Sequence, residues 1–363
     1  MVRYWLKEMY IMMIRFLMLF VQNRNINANQ IVVLMTFKED TLPVIQKLSE
    51  RGFHVTVFAK KQHLIDLKPL KEVVTHELHQ FNMWKQLYVM ASAKVIFIDN
   101  LYAFMAGFKK KKGQTVIQTW HAAGALKQFG FEDHAVNEDN ALSVRQYQRV
   151  YAATDKYLVG CAQMATCFQN AFQANYEQLV NFGVPRMSRY FQTDIDARKA
   201  QLKAQFGIEQ KVAVYLPTYR EEGMTNRILN KEAFEKILPD YLLLTRYHPA
   251  THILSDDYGL SVFDLVVLAD VIISDYSSLP IEASLIHKPT LFYVYDEQEY
   301  EKVRGLNRYF YNIPTFYKVY REEDIYHRLE SHDLLPLFED WHTYNKQSTL
   351  NQIAIYVDRL TKI

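Results

Sequence analysis

The sequence predicts an α/β protein of two Rossmann-like, doubly wound domains facing a cleft, preceded by an amphipathic helix. Three observations carry that expectation. The chain has 363 residues, more than one hydrophobic core usually organises, so two domains of similar size are expected. Short β-branched apolar runs alternate with helical stretches, the pattern of parallel sheets covered on both faces. The alternation pauses at "FGVPRMSRYF", where Gly183 and Pro185 predict a hinge, and restarts at Lys211.

Composition narrows the function classes. Hydrophobic residues make up 49% and charged residues 23% of the chain, as in a globular protein. Lys plus Arg number 42 against 40 Asp plus Glu, and the main like-charge run is Lys109 to Lys112. A nucleic-acid partner is therefore not expected. Cys161 and Cys167 match no common zinc spacing and are too few for a disulfide framework. They are expected as buried, reduced thiols in a cytosolic setting.

In order along the chain, residues 1–24 open with "MVRYWLKEMYIMMIRFLMLFVQ". Charges interrupt it too often for a membrane span, which needs roughly 20 apolar residues. On a helix, Arg3, Lys7, Glu8, Arg15 and Gln22 share one sector of roughly 140°. The remaining Trp/Met/Leu/Phe face suits a helix lying in a membrane surface, or one packed on the protein's own core or a partner subunit. No small-residue cleavage site follows, so a signal peptide is not expected.

The first domain, residues 25–185, carries strands at 30–37, 53–59, 73–78, 93–99 and 115–120, then a mostly helical stretch, 140–182, interrupted by the strand "KYLVG". The second, residues 186–345, carries strands within 211–220, 241–249, 266–287 and 289–296. Residues 346–363 form a helix able to cross back to the first domain. The chain has no GxGxxG, Walker A, HExxH or nucleophile-elbow motif, and no acidic pair at metal-binding spacing; Asp99 stands alone. Neither a metal nor a cofactor is expected.

In open α/β sheets ligands lie beyond the carboxyl ends of strands. Four such ends carry unusual polar residues: Trp120-His121; Thr218 and Arg220 in "LPTYRE"; Arg246 and His248 in "RYHP"; and Asp275 to Ser278 in "ISDYSSLPIEAS", ahead of a helix containing Glu282. Ser277 or Ser278 is a natural N-cap and Pro280 suits a first turn, although such a cap needs no ligand. With Arg220, Arg246 and two histidines on neighbouring strands, a diphosphate site is expected there. His121 and His248, one from each domain, can divide the roles of proton acceptor and phosphate stabiliser. Ala122, Ala123 and Gly124 would then clear space for an incoming sugar. The other ten histidines have no comparable support and are expected to be structural.

On these residues the chain resembles the CDP-glycerol glycerophosphotransferases of wall teichoic acid synthesis. "QTWHAAGALKQFG", "YLPTYRE", "HP" and "ISDYSSLPIEASLIHKPTLFYVYD…RGL" follow in the family's order, from about residue 30 to the C-terminus. Many members have Gly directly after the WH pair, where this chain has Ala122 and Ala123. The resemblance implies a GT-B fold and a transferase that uses CDP-glycerol and releases CMP. It implies His121 as general base and His248, Ser277 and Ser278 at the donor phosphates, with Thr218, Arg220 and Glu282 near the nucleotide. It most resembles the short members that add the first glycerol phosphate to an undecaprenyl-diphosphate-linked N-acetylmannosaminyl-N-acetylglucosamine at the cytoplasmic face of the membrane. The alternatives are a later glycerol- or ribitol-phosphate transferase, or a catalytically idle membrane-bound nucleotide-binding scaffold. An oligomer is compatible with either.

Overall fold

Parallel strands dominate both halves of the chain, as apolar β-branched runs covered on two faces require. A computed structural model describes residues 2–362 apart from residues 71, 135, 137–139, 221–226, 249, 250 and 332. The N-terminal half holds β1 (Asn27–Met35), β2 (His54–Ala59), β3 (Val73–Glu77), β4 (Ala93–Ile98), β5 (Thr115–Gln118), β6 (Lys156–Leu158) and β7 (Leu179–Val180). They pair in the order β3-β2-β1-β4-β5-β6-β7, all parallel. The C-terminal half holds β8 (Lys211–Tyr215), β9 (Tyr241–Thr245), β10 (Val271–Ser274), β11 (Thr290–Tyr293) and β12 (Lys318–Val319). Their order is β12-β11-β10-β8-β9, the flavodoxin-like arrangement, whereas the first sheet begins in the Rossmann order. Both sheets therefore have a switch point, β1/β4 in one and β8/β10 in the other.

The expected strands occur, most of them ending earlier than the apolar pattern does, because the terminal residues turn out of the sheet into the polar ends described below. One expected helix is broken. The stretch 162–181 is α-helical only over Ala162–Phe172, since Gln173 adopts a left-handed φ of 56° and, after a 3-10 turn at Tyr176–Gln178, the chain re-enters the sheet as β7. Pro249 and Glu221, part of the sequence motifs, lie outside the described residues.

The two halves share packing. One buried cluster joins Trp120, Tyr157 and Phe168 of the N-terminal half to Val212, Ile272 and Ile281 of the C-terminal half. Helix Thr349–Thr361 returns to the N-terminal half, burying Leu350, Ile353 and Val357 against Val44, Ile45 and Leu48. At the connection, Gly183 has φ +87°, and a Cβ there would sit 2.7 Å from Thr349 Oγ1 and 2.8 Å from the Tyr344 carbonyl. Glycine is thus required where the C-terminal segment lies across the link. Asn345 Oδ1 accepts from Val184 N–H at 2.9 Å beside it.

Helix Val2–Val21 packs Ile11, Ile14, Met18 and Val21 into the N-terminal half. Its polar sector does not simply face solvent: Glu8 accepts from Arg149 and Gln146, and the Lys7 ammonium lies 4.2 Å from the Tyr147 ring centroid. The opposite face exposes Trp5, Leu6, Met9, Met12, Met13, Phe16, Leu19 and Phe20. Among the described residues no helix is long and apolar enough to cross a membrane. Both cysteines are buried and unbridged, and burial pushes each thiol up to about 12.

Candidate active site

All the predicted site residues except Arg220 line one cleft of about 950 Å³ between the carboxyl ends of the two sheets. That volume suits a nucleotide-sized ligand, for which pockets run from roughly 300 to 1,000 Å³.

His121 is placed by a strained turn. After β5 the chain passes through Trp120, whose φ of 62° is left-handed, a conformation costing roughly 1–3 kcal/mol for a non-glycine residue. Aromatic packing offsets that cost, with Phe129 at 5.2 Å, Phe172 at 5.4 Å and Phe168 at 5.7 Å from the indole. The turn brings His121 Nδ1 to 2.8 Å from the Asp99 carbonyl. A carbonyl only accepts, so Nδ1 carries the proton and Nε2 keeps a lone pair. Phe37 stacks on the ring at 4.5 Å. Burial pushes the imidazole down to about 4, so at neutral pH it is an uncharged proton acceptor.

Asp99, solitary in the sequence, organises this wall. Its carboxylate accepts from the N–H groups of Thr36 and Phe37, each at 2.6 Å, and from Tyr102 Oη at 2.7 Å. It therefore holds both the backbone carbonyl under His121 and the turn that carries Phe37.

The opposite wall is built around Asp275 at the end of β10. Thr218 donates its N–H at 2.9 Å and its hydroxyl at 2.6 Å to Asp275 Oδ1, and Tyr276 N–H donates at 2.7 Å. Ser277 Oγ accepts from Leu279 N–H at 3.1 Å, while Ser278, at the N-cap position of helix Leu279–Ser284, makes no side-chain capping bond. Ser277 satisfies the helix end and leaves the Ser278 hydroxyl uncommitted to it. His248 is exposed on the cleft rim, 5.1 Å from the Tyr219 ring. Arg246 pairs with Asp257 and donates to the Leu260 carbonyl.

Two expectations change. Arg220 does not reach the cleft: its fully buried side chain pairs with Asp275 at 2.9 Å and Asp296 at 2.6 Å and donates to the Thr218 carbonyl at 2.8 Å. Two carboxylates hold it inside, so it shapes the loop carrying Thr218. The small residues after His121 also do more than clear space. Ala123 is fully buried, and a Cβ on Gly124 would meet Ile281 and Trp341 at 2.6 Å. Their size lets the two halves approach.

Glu282 lines the cleft but is bound by Arg186 at 3.1 Å, by Arg189, and by Tyr190 Oη at 2.8 Å. Burial opposes its charge, yet Arg186 and Arg189 hold the carboxyl below its usual range. Arg186, which the sequence did not mark, also grips Asp40 through Nε at 2.8 Å and Nη2 at 2.9 Å. Its place directly after Pro185 was the available signal. Among the described residues no group of three or more His, Cys, Asp or Glu side chains is disposed to hold a metal ion.

Two parallel sheets with their polar strand ends turned into one cleft define an α/β enzyme of the nucleotide-handling kind. The chain belongs to the CDP-glycerol:poly(glycerophosphate) glycerophosphotransferase family, whose model matches residues 36–334. It is thereby a CDP-glycerol glycerophosphotransferase of teichoic acid biosynthesis. It is 42% identical to the teichoic acid glycerol-phosphate primase of Staphylococcus aureus over 98% of both chains. It is 26% identical to that of Bacillus subtilis over 92% of both. The wall teichoic acid polymerase TagF has a similar fold, with a TM-score of 0.76 at 16% identity, covering 100% of this chain and 98% of that one.

Proposed function

We propose that this enzyme primes wall teichoic acid by moving glycerol phosphate from CDP-glycerol to undecaprenyl-diphosphate-linked N-acetylmannosaminyl-N-acetylglucosamine, releasing CMP. The observation that carries this reading is the meeting of two chemistries in one cleft. The N-terminal half brings a neutral His121 with Nε2 free to accept; the C-terminal half brings His248 and the Thr218, Ser277 and Ser278 hydroxyls. Likeness to the primases along almost the whole chain supports priming over elongation. In this reading residues 25–185 and 186–345 are the acceptor and donor domains of a GT-B enzyme, joined at Gly183–Pro185 and strapped by residues 346–363.

The geometry supports the following step in this reading. His121 Nε2 takes the proton of the attacking sugar hydroxyl, a service worth roughly 10²–10⁴-fold. The hydroxyl oxygen bonds to the β-phosphorus, and the bond to the bridging oxygen breaks, its electron pair leaving with CMP. His248, Ser277 and Ser278 hold the diphosphate in line, since positioning and charge stabilisation supply most of phosphoryl-transfer catalysis.

A lipid-linked acceptor calls for contact with the membrane surface. The exposed apolar face of helix Val2–Val21 supports peripheral binding there, and Trp84 extends it, 6.3 Å from Phe20. Arg3 and Arg15, both exposed, flank that face, as in interfacial helices.

Purified enzyme given CDP-glycerol and either unprimed or once-primed lipid disaccharide tests the assignment. CMP is expected with the unprimed acceptor. Silence with both would refute glycerol-phosphate transfer to these acceptors, and preference for the once-primed one would refute priming.

A further inference from the structure

Lys127 stands six residues after His121, on a segment pinned to the other half of the molecule. Lys127 and Leu306 form an antiparallel bridge. Gln128 N–H donates to the Gly305 carbonyl and Asn307 N–H to the Leu126 carbonyl, each at 3.0 Å, while Asn307 Nδ2 reaches the Ala125 carbonyl at 2.7 Å. Gly305 has φ +81°, and a Cβ there would lie 2.0 Å from Gln128 Oε1. The backbone carrying Lys127 is thus held against the C-terminal half by main-chain bonds that do not involve its side chain.

That side chain lines the cleft. The neighbouring cleft cations are paired: Arg186 with Asp40 and Glu282, Arg246 with Asp257, Arg304 with Asp133. Lys127, half-buried, has no carboxylate at ion-pair distance and no side-chain hydrogen bond among the described residues. Burial, and then Arg304, lower its pKa, while Asp275 and Asp133 act in the opposite sense. Asp275 is the carboxylate that organises Thr218 and Tyr276 beside Ser277, so the ammonium sits within the field of the hydroxyl-lined wall. A half-buried cation without a partner is costly until an anion meets it.

We propose that Lys127 is a catalytic residue that reaches from the N-terminal half to the donor's diphosphate and carries the charge that develops as the bond to CMP breaks. The inference rests on the transfer reading above. In the step, the acceptor oxygen bonds to the β-phosphorus, its proton goes to His121 Nε2, and the electron pair of the broken bond stays on the bridging oxygen of CMP. Lys127 remains protonated throughout and faces that oxygen. Acceptor and donor walls then meet at the leaving group only when the 126–128 and 305–307 segments are joined.

The test compares wild type with Lys127→Met and Lys127→Arg in two measurements: calorimetric binding of CDP-glycerol, and CMP release with the lipid disaccharide across pH. Lys127→Met is expected to bind CDP-glycerol at least about tenfold more weakly and to lose roughly 10²–10³-fold in kcat, the cost of removing one preorganised charge-stabilising donor. Its melting temperature should stay near that of wild type. Lys127→Arg should keep most of the rate and move the alkaline limb of the profile upward, because guanidinium does not titrate there. Lys127→Met matching wild type in both affinity and kcat would overturn the proposal, as would an alkaline limb unmoved in Lys127→Arg. Wild type that binds CDP-glycerol yet releases no CMP would overturn the transfer reading; weakened binding in Lys127→Met would even then uphold the diphosphate contact.

Discussion

A free imidazole changes charge near pH 6.5, whereas burial pushes His121 down to about 4. The ring accepts a proton only while uncharged, so activity that depends on it is full above about pH 5 and falls as pH drops through 4. The proposed base is poised by its surroundings, with the Asp99 carbonyl fixing Nδ1 as the donor and Phe37 fixing the ring plane. His121→Ala should lower kcat by roughly 10²–10⁴-fold with CDP-glycerol affinity little changed. Steady-state CMP release checks this, and a variant within a few-fold of wild type would remove His121 from the proton transfer. At this scale residue type was legible and direction was not. Arg220 and Arg246 look alike as arginines beside strand ends, yet one is closed inside by Asp275 and Asp296 and the other lines the cleft.

The N-terminal helix shows what periodicity carries and what it leaves open. Its 3.6-residue pattern was readable, and so was the breadth of its apolar face, but not that the core would be met by the apolar residues interspersed in the charged sector instead. Ile11, Ile14, Met18 and Val21 are spent on the protein's own core, and the Trp5–Phe20 face is left over. Removing the whole helix would therefore open the core as well as any membrane contact. Substituting the exposed face alone separates the two: Trp5→Glu, Met9→Glu, Phe16→Glu and Phe20→Glu together should abolish co-sedimentation with anionic vesicles. Each side chain buried in the interface contributes up to about 1.5–3 kcal/mol. The melting temperature should change little, and retained vesicle binding would count against the interfacial role.

Across the whole molecule, Arg186 joins Asp40 of the N-terminal half to Glu282 of the C-terminal half directly after the Gly183–Pro185 link. Breaking such a buried cluster by removing the cation leaves two carboxylates without it, a loss of roughly 3–5 kcal/mol. With about 2.1 cal/mol/K of unfolding entropy per residue over 363 residues, Arg186→Met should therefore lower Tm by roughly 4–7 °C. Thermal denaturation followed by circular dichroism checks it, and an unchanged Tm would show that the halves are held by their shared core and the C-terminal segment alone. The cleft is thus closed on one side by the Arg186 cluster and on another by the 126–128 and 305–307 bridge.

By itself the sequence determined the alternation of strands and helices and the strand ends at which His121, Thr218, Arg246, His248, Ser277 and Ser278 gather. Those features are local: apolar periodicity, turn residues and the polar residue that follows a strand can all be read within a dozen positions. Only the tertiary structure decided strand order, the retreat of Arg220, the service of Asp99 to His121, and the standing of Lys127, unpaired among the described residues. Each of these depends on which groups from distant segments arrive within a few ångströms, and burial and ion pairing act over that distance whatever the separation along the chain.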